Sequence, residues 1–477
     1  MLNYNKFIMS KINPLVKPTN KFDNERLAGG SGAFAAKQSN IELLKRVTLA
    51  NLLWENNAYC DGKSVAEEIK RLIPLCNAKD VYDLALNARL MQKLRHTPLF
   101  IAAEMCKYEE HKFFVKALLP QIITRADMLT DFLAIYWKEG RCPISNQAKQ
   151  GLVEAFHNFN AYKFAKYDRD AAIKLRDVMF LIHPKPRNDE ETKLFKMIAE
   201  RTLPTPETWE TMLSTGKDKK ETWTKLITED KIGGLAFLRN LRNMREASVD
   251  KKVIQYGFET LKSSMLTPMN FLQAMKMNHE FSRQIEDAML SSYSHLPKLP
   301  GKTLLILDAS GSMDVEMSSK SRITRYDAAC AMAILAANQC EDIELVVTAG
   351  DDCARKHASE RIEYPSKGFN LINQINEVRG EVGCGGIFTR QCLEWCREKF
   401  PTTEFDRIIV FSDSQDCDFF NKKVPNPFGK HNYICDISAE KKGVNYKGIW
   451  TAEISGFSEY FLTFIAALEG IENTFDE

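Results

Sequence analysis

The sequence predicts two fold classes in one multidomain chain, an all-α helical repeat over residues 1–300 and an α/β doubly wound domain over residues 301–477. The first prediction rests on apolar residues that recur at helical spacing from Ile41 to about His295, where strand signals are almost absent. The second rests on apolar, strand-like runs that alternate with helical segments after residue 301. A chain of 477 residues is long enough for two or three domains.

Consecutive amphipathic helices favour an α-solenoid of the HEAT-like type in the first region. Leu43, Val47 and Ala50 form one such apolar face. Residues 1–40 look irregular, and Leu296–Gly301 is interpreted as a linker. Polar breaks that contain proline separate the predicted helices, at Pro74, Pro98, Pro120, Pro143, Pro184–Pro186, Pro204–Pro206 and Pro268.

The second region is predicted to form a parallel sheet covered by helices, since strands and helices alternate along it. The predicted strands are Thr303–Leu307, Ile343–Thr348, Arg407–Phe411 and His431–Asp436, with short extended pieces at Ala354–His357 and Arg361–Tyr364. The predicted helices are Arg325–Gln339, Asn370–Val378, Thr389–Lys399 and Ser458–Leu468.

The charge is divided unevenly between the two regions, although the whole chain carries only +2. Residues 1–300 hold 46 Lys and Arg against 35 Asp and Glu, a net charge of +11, which leaves −9 for residues 301–477. This asymmetry indicates an anionic partner for the first region, and RNA is the candidate. A solvated basic surface is the alternative.

The 12 cysteines are scattered without a CxxC pair, which favours reduced thiols in a cytoplasmic protein over a disulfide framework or a zinc site. The N-terminus lacks the apolar core of a signal peptide. No stretch of about 18 uncharged apolar residues is present, so no membrane partner is expected.

A D-x-S-x-S motif follows the first predicted strand and places Asp308, Ser310 and Ser312 at its C-terminal end. Hard divalent cations prefer such oxygen ligands, and open α/β sheets bind ligands at that edge. Two later loops are expected to converge there and to supply Thr389 and Asp413. The sequence therefore predicts a divalent-cation site, with Mg²⁺ as the expected ion. The alternative is a vestigial domain in which these residues only cap turns and helices.

This pattern resembles the metal-ion-dependent adhesion site of von Willebrand A domains, which implies a Rossmann-like fold. In those domains a Thr usually follows the Gly pair directly, whereas Ile387 follows Gly385–Gly386 here and Thr389 comes two residues later. If Thr389 does not reach the ion, a water takes its place, because Mg²⁺ readily keeps waters.

The densest basic and aromatic stretch runs from Tyr162 to His183 and is predicted to contact RNA. Its candidate RNA-binding residues are Lys163, Lys166, Tyr167, Arg169, Lys174, Arg176 and His183. The alternative is a solvated face balanced by Asp168, Asp170 and Asp177. A second cluster, Arg239, Arg242 and Arg245, forms a stripe at helical spacing, with surface ion pairs as the alternative to RNA contact.

Helical repeats followed by an A domain resemble the Ro ribonucleoprotein family, whose helical part is the TROVE module. The local sequence agrees over several segments from about Leu27 to Leu462. These segments are Lys166–Tyr167 through Leu181–Pro186, Lys220–Leu226, Leu235–Leu241 with Met244, and Gly301–Lys302 before the Asp308 motif.

The resemblance implies a ring of helical repeats with a central hole, closed by the A domain. It implies that single-stranded 3′ ends of misfolded RNA enter the hole and that Y RNA, a small noncoding stem-loop RNA, binds the basic outer surface. By matching segments, Lys166, Arg169, Lys174, Arg176 and His183 lie in the region implied for Y RNA, although the sequence departs from animal members at several of these positions. Bacterial relatives work with exoribonucleases in RNA decay and maturation, which implies such a partner.

Two hypotheses of different classes follow. The first is a non-catalytic RNA-binding ribonucleoprotein scaffold that acts in small RNA quality control, stability or decay, with no DNA partner. The second is a metal-dependent adaptor whose A domain grips an acidic residue of a partner protein. A hydrolase is the weakest interpretation, because no general base is evident near Asp308 and Asp413 and residue 310 is Ser where a D-x-D phosphatase has Asp.

Overall fold

The computed structural model describes residues 22–26, 34–36, 39–49, 62–168, 170–214, 216, 218–318, 321–418, 428–437 and 450–471. The described residues fall into two compact units. One unit spans residues 68–260, and the other combines residues 261–477 with the first 67 residues. The predicted helices between residues 261 and 295 therefore group with the α/β part, while the functional division at residue 300 stays a prediction.

All the regular structure described in residues 68–260 is helical, which confirms the all-α prediction for this unit. Elements are numbered here in chain order over the described residues. The helices up to the end of this unit are α1 (Asn40–Leu49), α2 (Gly62–Leu72), α3 (Ala78–Leu90), α4 (His96–Met105), α5 (Glu109–Ile122), α6 (Asp127–Tyr136), α7 (Asn146–Phe156), α8 (Ala161–Tyr167), α9 (Leu175–Ile182), α10 (Asp189–Glu200), α11 (Trp209–Ser214), α12 (Lys219–Thr228), α13 (Gly234–Glu246) and α14 (Lys251–Glu259).

Side-chain caps explain why several of these helices begin where they do. Ser145 accepts a hydrogen bond from the Ala148 amide, and Asn160 accepts one from the Lys163 amide, which satisfies amides that lack a partner within the helix.

Two predicted breaks are wrong, because Pro120 lies inside α5 and Pro98 lies in the first turn of α4. A proline in the first turn loses no intrahelical hydrogen bond.

The α/β unit contains a six-stranded sheet. Its strands are β3 (Leu299–Asp308), β6 (Cys340–Asp351), β7 (Lys356–Ile362), β8 (Phe405–Ser412), β9 (Gly429–Asp436) and β10 (Ala452–Ser455). They lie in the order β10-β9-β8-β3-β6-β7. Every neighbouring pair is parallel except β6 and β7, which are antiparallel. The remaining described strands are β1 (Phe22–Arg26), β2 (Phe34–Ala36), β4 (Glu316–Ser318) and β5 (Ser321–Thr324). The helices of this unit beyond residue 260 are α15 (Pro268–Met277), α16 (Ser282–Ser292), α17 (Arg325–Gln339), α18 (Asn370–Val382), α19 (Thr389–Lys399) and α20 (Tyr460–Leu468).

Three predictions for this unit need correction. The linker prediction for Leu296–Gly301 is wrong, because β3 already begins at Leu299, whose side chain is fully buried. The two extended pieces around residues 354–364 form one strand, β7, and it runs antiparallel at the sheet edge. The irregular interpretation of residues 1–40 misses the antiparallel pair of β1 and β2.

A buried ion pair ties α1 to the end of β9. The guanidinium of Arg46 contacts the Asp436 carboxylate, and both side chains are almost fully buried. Burial lowers the pKa of Arg46 to about 9, while the nearby charge of Glu42 opposes the shift, so the guanidinium still carries its charge at neutral pH. Glu453 on β10 lies 3.7 Å from the same guanidinium.

We expect Gly257→Ala to destabilise the helical unit. A Cβ at residue 257 would lie 2.4 Å from Cε2 of the buried Phe237 ring, which packs edge-on against Phe258 at 5.0 Å. The resulting overpacking should cost about 1–3 kcal/mol and outweigh the better helix propensity of alanine. Thermal unfolding measures the effect.

Gly380→Ala is the control for this substitution. Gly380 lies in α18, and nothing lies within 4 Å of a Cβ at that position. This variant should gain up to about 1 kcal/mol from helix propensity. Equal melting temperatures for the two variants would contradict the overpacking argument.

Candidate functional site

The predicted cation site begins where the parallel neighbours β3 and β8 end. Asp308, the last residue of β3, is fully buried. One of its carboxylate oxygens accepts the Ser310 amide at 2.8 Å, and the other accepts the Ser412 hydroxyl at 2.6 Å. The carboxylate is therefore held by the first loop and by the adjacent strand together.

The two serines of the motif lie side by side in the first loop. Their hydroxyl oxygens are 3.2 Å apart, Ser310 being buried and Ser312 partly buried. The Gly311 amide between them donates to the Cys384 carbonyl at 3.0 Å, and a Cβ on Gly311 would lie 2.7 Å from that carbonyl. The close approach requires glycine and ties the first loop to the start of the second.

Asp413 follows β8 and is fully buried, like Asp308. One of its oxygens accepts the Gln415 amide at 3.2 Å. The other lies 3.5 Å from a guanidinium nitrogen of Arg325, which also lies 3.4 Å from the Ser312 carbonyl oxygen. Arg325 is the first residue of α17 and is 1% exposed, so a buried positive charge bridges the first and third loops.

The second loop places Thr389 at the start of α19, with a buried side chain. Its amide donates to an Asp416 carboxylate oxygen at 3.2 Å, and its hydroxyl makes no hydrogen bond within the described part of the chain. Ile387, which replaces the usual Thr, is fully buried and pairs with the third loop, where its carbonyl accepts the Cys417 amide at 2.8 Å. The second and third loops are thus joined beside Thr389.

Burial and the nearby charge of Asp413 raise the pKa of Asp308 to about 7, while hydrogen bonds from Ser310 and Ser412 oppose the shift. The donor set of carboxylates and hydroxyls fits a hard divalent cation, and the unsatisfied Thr389 hydroxyl is a further candidate ligand. Among the described residues, no group of three or more His, Cys, Asp or Glu could hold a metal by itself. A cation here would therefore need the hydroxyls.

The candidate RNA-binding residues lie on α8, on α9 and in the segment between them. Lys163 is exposed on α8, and Lys166 and Tyr167 at its end are partly buried. The Tyr167 ring has the Arg125 guanidinium 4.7 Å and the Lys166 ammonium 5.8 Å from its centroid. The aromatic residue thus lies in one patch with Lys166, a predicted neighbour, and with Arg125, which is not among the predicted RNA-binding residues.

The remaining candidates differ in their surroundings. Lys174 precedes α9 and pairs with Asp170 at 2.7 Å, which agrees with the balanced-face alternative for this residue. Arg176 is exposed on α9, and His183 is exposed at its end with φ of 52°. Arg169 lies outside the described residues.

The arginine stripe lies on α13 as predicted. Arg239, Arg242 and Arg245 are exposed, while Leu238 and Leu241 are buried. The Arg242 guanidinium donates to Glu246 at 2.7 Å, as the ion-pair alternative predicts for that residue. The RNA role of Arg239 and Arg242 stays a prediction.

Sequence reasoning missed two features that depend on tertiary contacts. The first is the Arg325 guanidinium at the predicted cation site. Arg325 lies in a helix whose sequence is otherwise Ala-rich and typical of the core. A cavity of about 520 Å³ also opens beside α9. Its lining residues are Trp137, Arg141, Ala172, Ile173, Asp177, Phe180 and Leu181. Phe180, an aromatic residue within the basic stretch, is the signal that the sequence offers for this cavity.

Within the described part of the chain, every cysteine is a free thiol. A search of the same residues finds no helix with the length and apolar character needed to cross a bilayer.

Comparison with known proteins agrees with the resemblance seen in the sequence. The family model of the TROVE domain matches residues 199–345. The crystal structure of the Deinococcus radiodurans RO (RSR) protein is similar to this chain, with a TM-score of 0.56 and 14% sequence identity over 91% of this chain and 100% of that one. No curated protein matches the sequence. The predicted fold class is confirmed: a largely helical region precedes a mixed, mainly parallel sheet domain of von Willebrand A type.

Proposed function

We propose that this chain is an RNA-binding protein of the Ro ribonucleoprotein family, a scaffold that holds structured small RNA, of the Y RNA kind, on the surface formed by α8 and α9. The observation that carries the proposal is the patch around Tyr167, where an aromatic ring, Arg125 and Lys166 lie together beside exposed Lys163. Cationic side chains bind phosphates, and an aromatic ring can stack on an unpaired base. We assign no catalytic step to this surface.

Sequencing the RNA that co-purifies with the protein tests this proposal. Small structured RNAs should be enriched over a purification of the variant Lys163→Glu, Lys166→Glu, Arg176→Glu. A wild-type RNA population no different from that of the triple variant would contradict the surface assignment.

The finer parts of the proposal rest on the resemblance to the Ro family. They are the binding of misfolded RNA through single-stranded 3′ ends, an exoribonuclease partner, and a role in small RNA quality control. In this chain the α13 arginines are the candidates for single-strand contact, because Arg239 and Arg242 are exposed on one helix face.

We expect Arg239→Ala with Arg242→Ala to weaken binding of single-stranded RNA about tenfold, through two lost phosphate contacts, while stem-loop affinity stays within twofold. Filter binding with a 12-nucleotide single strand and a blunt stem-loop at equal salt measures both. Glu246→Gln is the matched control, since it breaks the 2.7 Å pair with Arg242 but keeps the arginine. If the control weakens single-strand binding as much as the double variant, the arginines act only through surface ion pairs.

The second candidate function is metal-dependent binding of a protein partner at the A-domain site. It is favoured by two buried carboxylates, Asp308 and Asp413, and by the buried Thr389 hydroxyl that lacks a hydrogen bond within the described residues. With Ser310 and Ser312, these residues would hold a divalent cation, with Mg²⁺ as the expected ion. The ion would supply a positive charge able to bind a carboxylate of the partner.

A further inference from the structure

The cavity beside α9 lies in the helical unit, next to the proposed RNA surface. Its volume of about 520 Å³ is within the range of small-molecule binding pockets. Two aromatic side chains, Trp137 and Phe180, line it together with the aliphatic Ile173 and Leu181. Aromatic and aliphatic walls of this kind suit a flat, partly apolar ligand.

Phe180 is a large apolar side chain that is exposed to solvent. It lies on α9 and is 47% exposed, so water covers almost half of a large apolar ring. The Arg176 guanidinium lies 5.3 Å from the centroid of that ring. An exposed ring can stack on an incoming planar group, and an arginine beside that ring can contact a phosphate attached to the group.

The other aromatic group of the lining, Trp137, is held in place by the backbone. The Trp137 indole nitrogen donates to the Cys142 carbonyl at 2.8 Å, which fixes the ring plane. The Arg141 guanidinium lies 5.0 Å from the indole centroid. Each aromatic wall of the cavity is thus paired with an arginine that could also contact a phosphate.

The polar group of the lining is the Asp177 carboxylate. One of its oxygens accepts the Lys174 amide at 2.9 Å, which orients the side chain at the first turn of α9. A carboxylate can accept several hydrogen bonds, so Asp177 can also accept one from the exocyclic amine of a base. An aromatic wall, arginines and a carboxylate acceptor together match the flat face of a base, the neighbouring phosphates and the exocyclic amine of the base.

We infer that this cavity takes one unpaired nucleobase of the bound RNA, stacked on Phe180, with Arg141 and Arg176 at the flanking phosphates. The inference rests on the proposed function, because it requires RNA on the α8–α9 surface. It assigns a new role to Trp137, Arg141, Asp177 and Phe180. It also explains why an exposed phenylalanine lies between basic residues. RNA with a bulged or looped base should therefore bind better than a perfect duplex.

Two RNA hairpins that share the same tightly folded loop, whose bases are already stacked, test this inference. One carries a single bulged 2-aminopurine in its stem, and in the other the same base is paired. Wild-type protein should bind the bulged hairpin about tenfold more tightly, with a change in 2-aminopurine fluorescence, since stacking a base on an aromatic ring has roughly this effect on affinity. Phe180→Ala should remove the preference and the fluorescence change, and still bind the paired hairpin as wild type does.

Phe113→Ala is the matched control. Phe113 is also exposed in the helical unit, at 60%, and has the Lys112 ammonium 6.0 Å from its ring centroid, but it does not line the cavity. This variant should keep the preference for the bulged hairpin. Failure of wild-type protein to bind either hairpin would contradict the proposed function, which is RNA binding at the α8–α9 surface. Binding of both hairpins with equal affinity, or equal losses in the two phenylalanine variants, would overturn only the base site.

Discussion

Replacing Lys163, Lys166 and Arg176 together by glutamate is expected to lower the affinity for a structured RNA about 100-fold at physiological salt. Each phosphate contact releases a counterion, so three lost contacts should also flatten the plot of log affinity against log salt by roughly two to three units. Lys174 is left out because it already pairs with Asp170 at 2.7 Å. Fluorescence anisotropy at several salt concentrations gives both quantities.

A variant with the same change in net charge separates direct RNA contacts from long-range electrostatic attraction between the protein and RNA. Lys193, Lys251 and Lys252 are exposed in the same helical unit but lie on α10 and α14. Changing all three to glutamate alters the net charge as much as the first triple variant does. It should lower the RNA affinity less than about tenfold, because only the long-range electrostatic attraction is weakened. Similar losses in the two triple variants would show that the α8–α9 surface has no special role.

Asp308→Asn is expected to abolish divalent-cation binding by the A domain. Wild-type protein at pH 8 should gain about 2–3 kcal/mol of stability at an Mg²⁺ concentration near 100 times the dissociation constant, which raises the melting temperature by several degrees. Burial and Asp413 raise the pKa of Asp308 to about 7, so the gain should shrink as the pH falls below 7 and the carboxyl binds a proton.

Without metal, the stability that Asp308 contributes falls as the pH rises, whereas the gain in stability from Mg²⁺ grows as the pH rises. A carboxyl whose pKa is higher in the folded than in the unfolded protein binds more protons when folded, between about pH 4 and pH 7. Its contribution to stability is therefore greatest at low pH and is lost as the pH rises through 7. Asp308→Asn should remove this loss, and its melting temperature in EDTA should change less between pH 5 and pH 8 than that of wild type.

Asp314→Asn is the control for the cation measurements. Asp314 belongs to the same loop, but its side chain is largely exposed and pairs with Arg379 at 2.8 Å. This variant should respond to Mg²⁺ as wild type does. A wild-type protein that does not respond to Mg²⁺ at pH 8, or an Asp308→Asn variant that still responds, would show that these loops do not form a cation site.

The sequence predicts best where a local signal coincides with the tertiary structure. The helix Arg325–Gln339 has both ends predicted, because Thr324 caps its start and an apolar run fills its length. Asp308 and Asp413 are likewise placed together, since parallel neighbouring strands end at the same sheet edge. These inferences need only periodicity and topology.

Prediction fails where contacts between distant segments decide the outcome. Pro120 lies inside α5, where packing of the surrounding helix on its neighbours overrides its low helix propensity. Leu299 belongs to a strand because it pairs with Cys340 on β6, a contact that the proline-rich sequence around it hides. The contact of Arg325 with Asp413 joins residues 88 positions apart, and no local pattern indicates it.

That arginine has a consequence for how the A domain would respond to metal ions. The Arg325 guanidinium already lies against Asp413, one of the two carboxylates proposed to hold the ion, so it would compete with any incoming cation for that carboxylate. The observed affinity for a cation would then be its intrinsic affinity multiplied by the fraction of molecules in which the guanidinium has moved away. This chain's own arginine would therefore raise the ion concentration at which half of the sites are filled, and shortening that side chain would lower it.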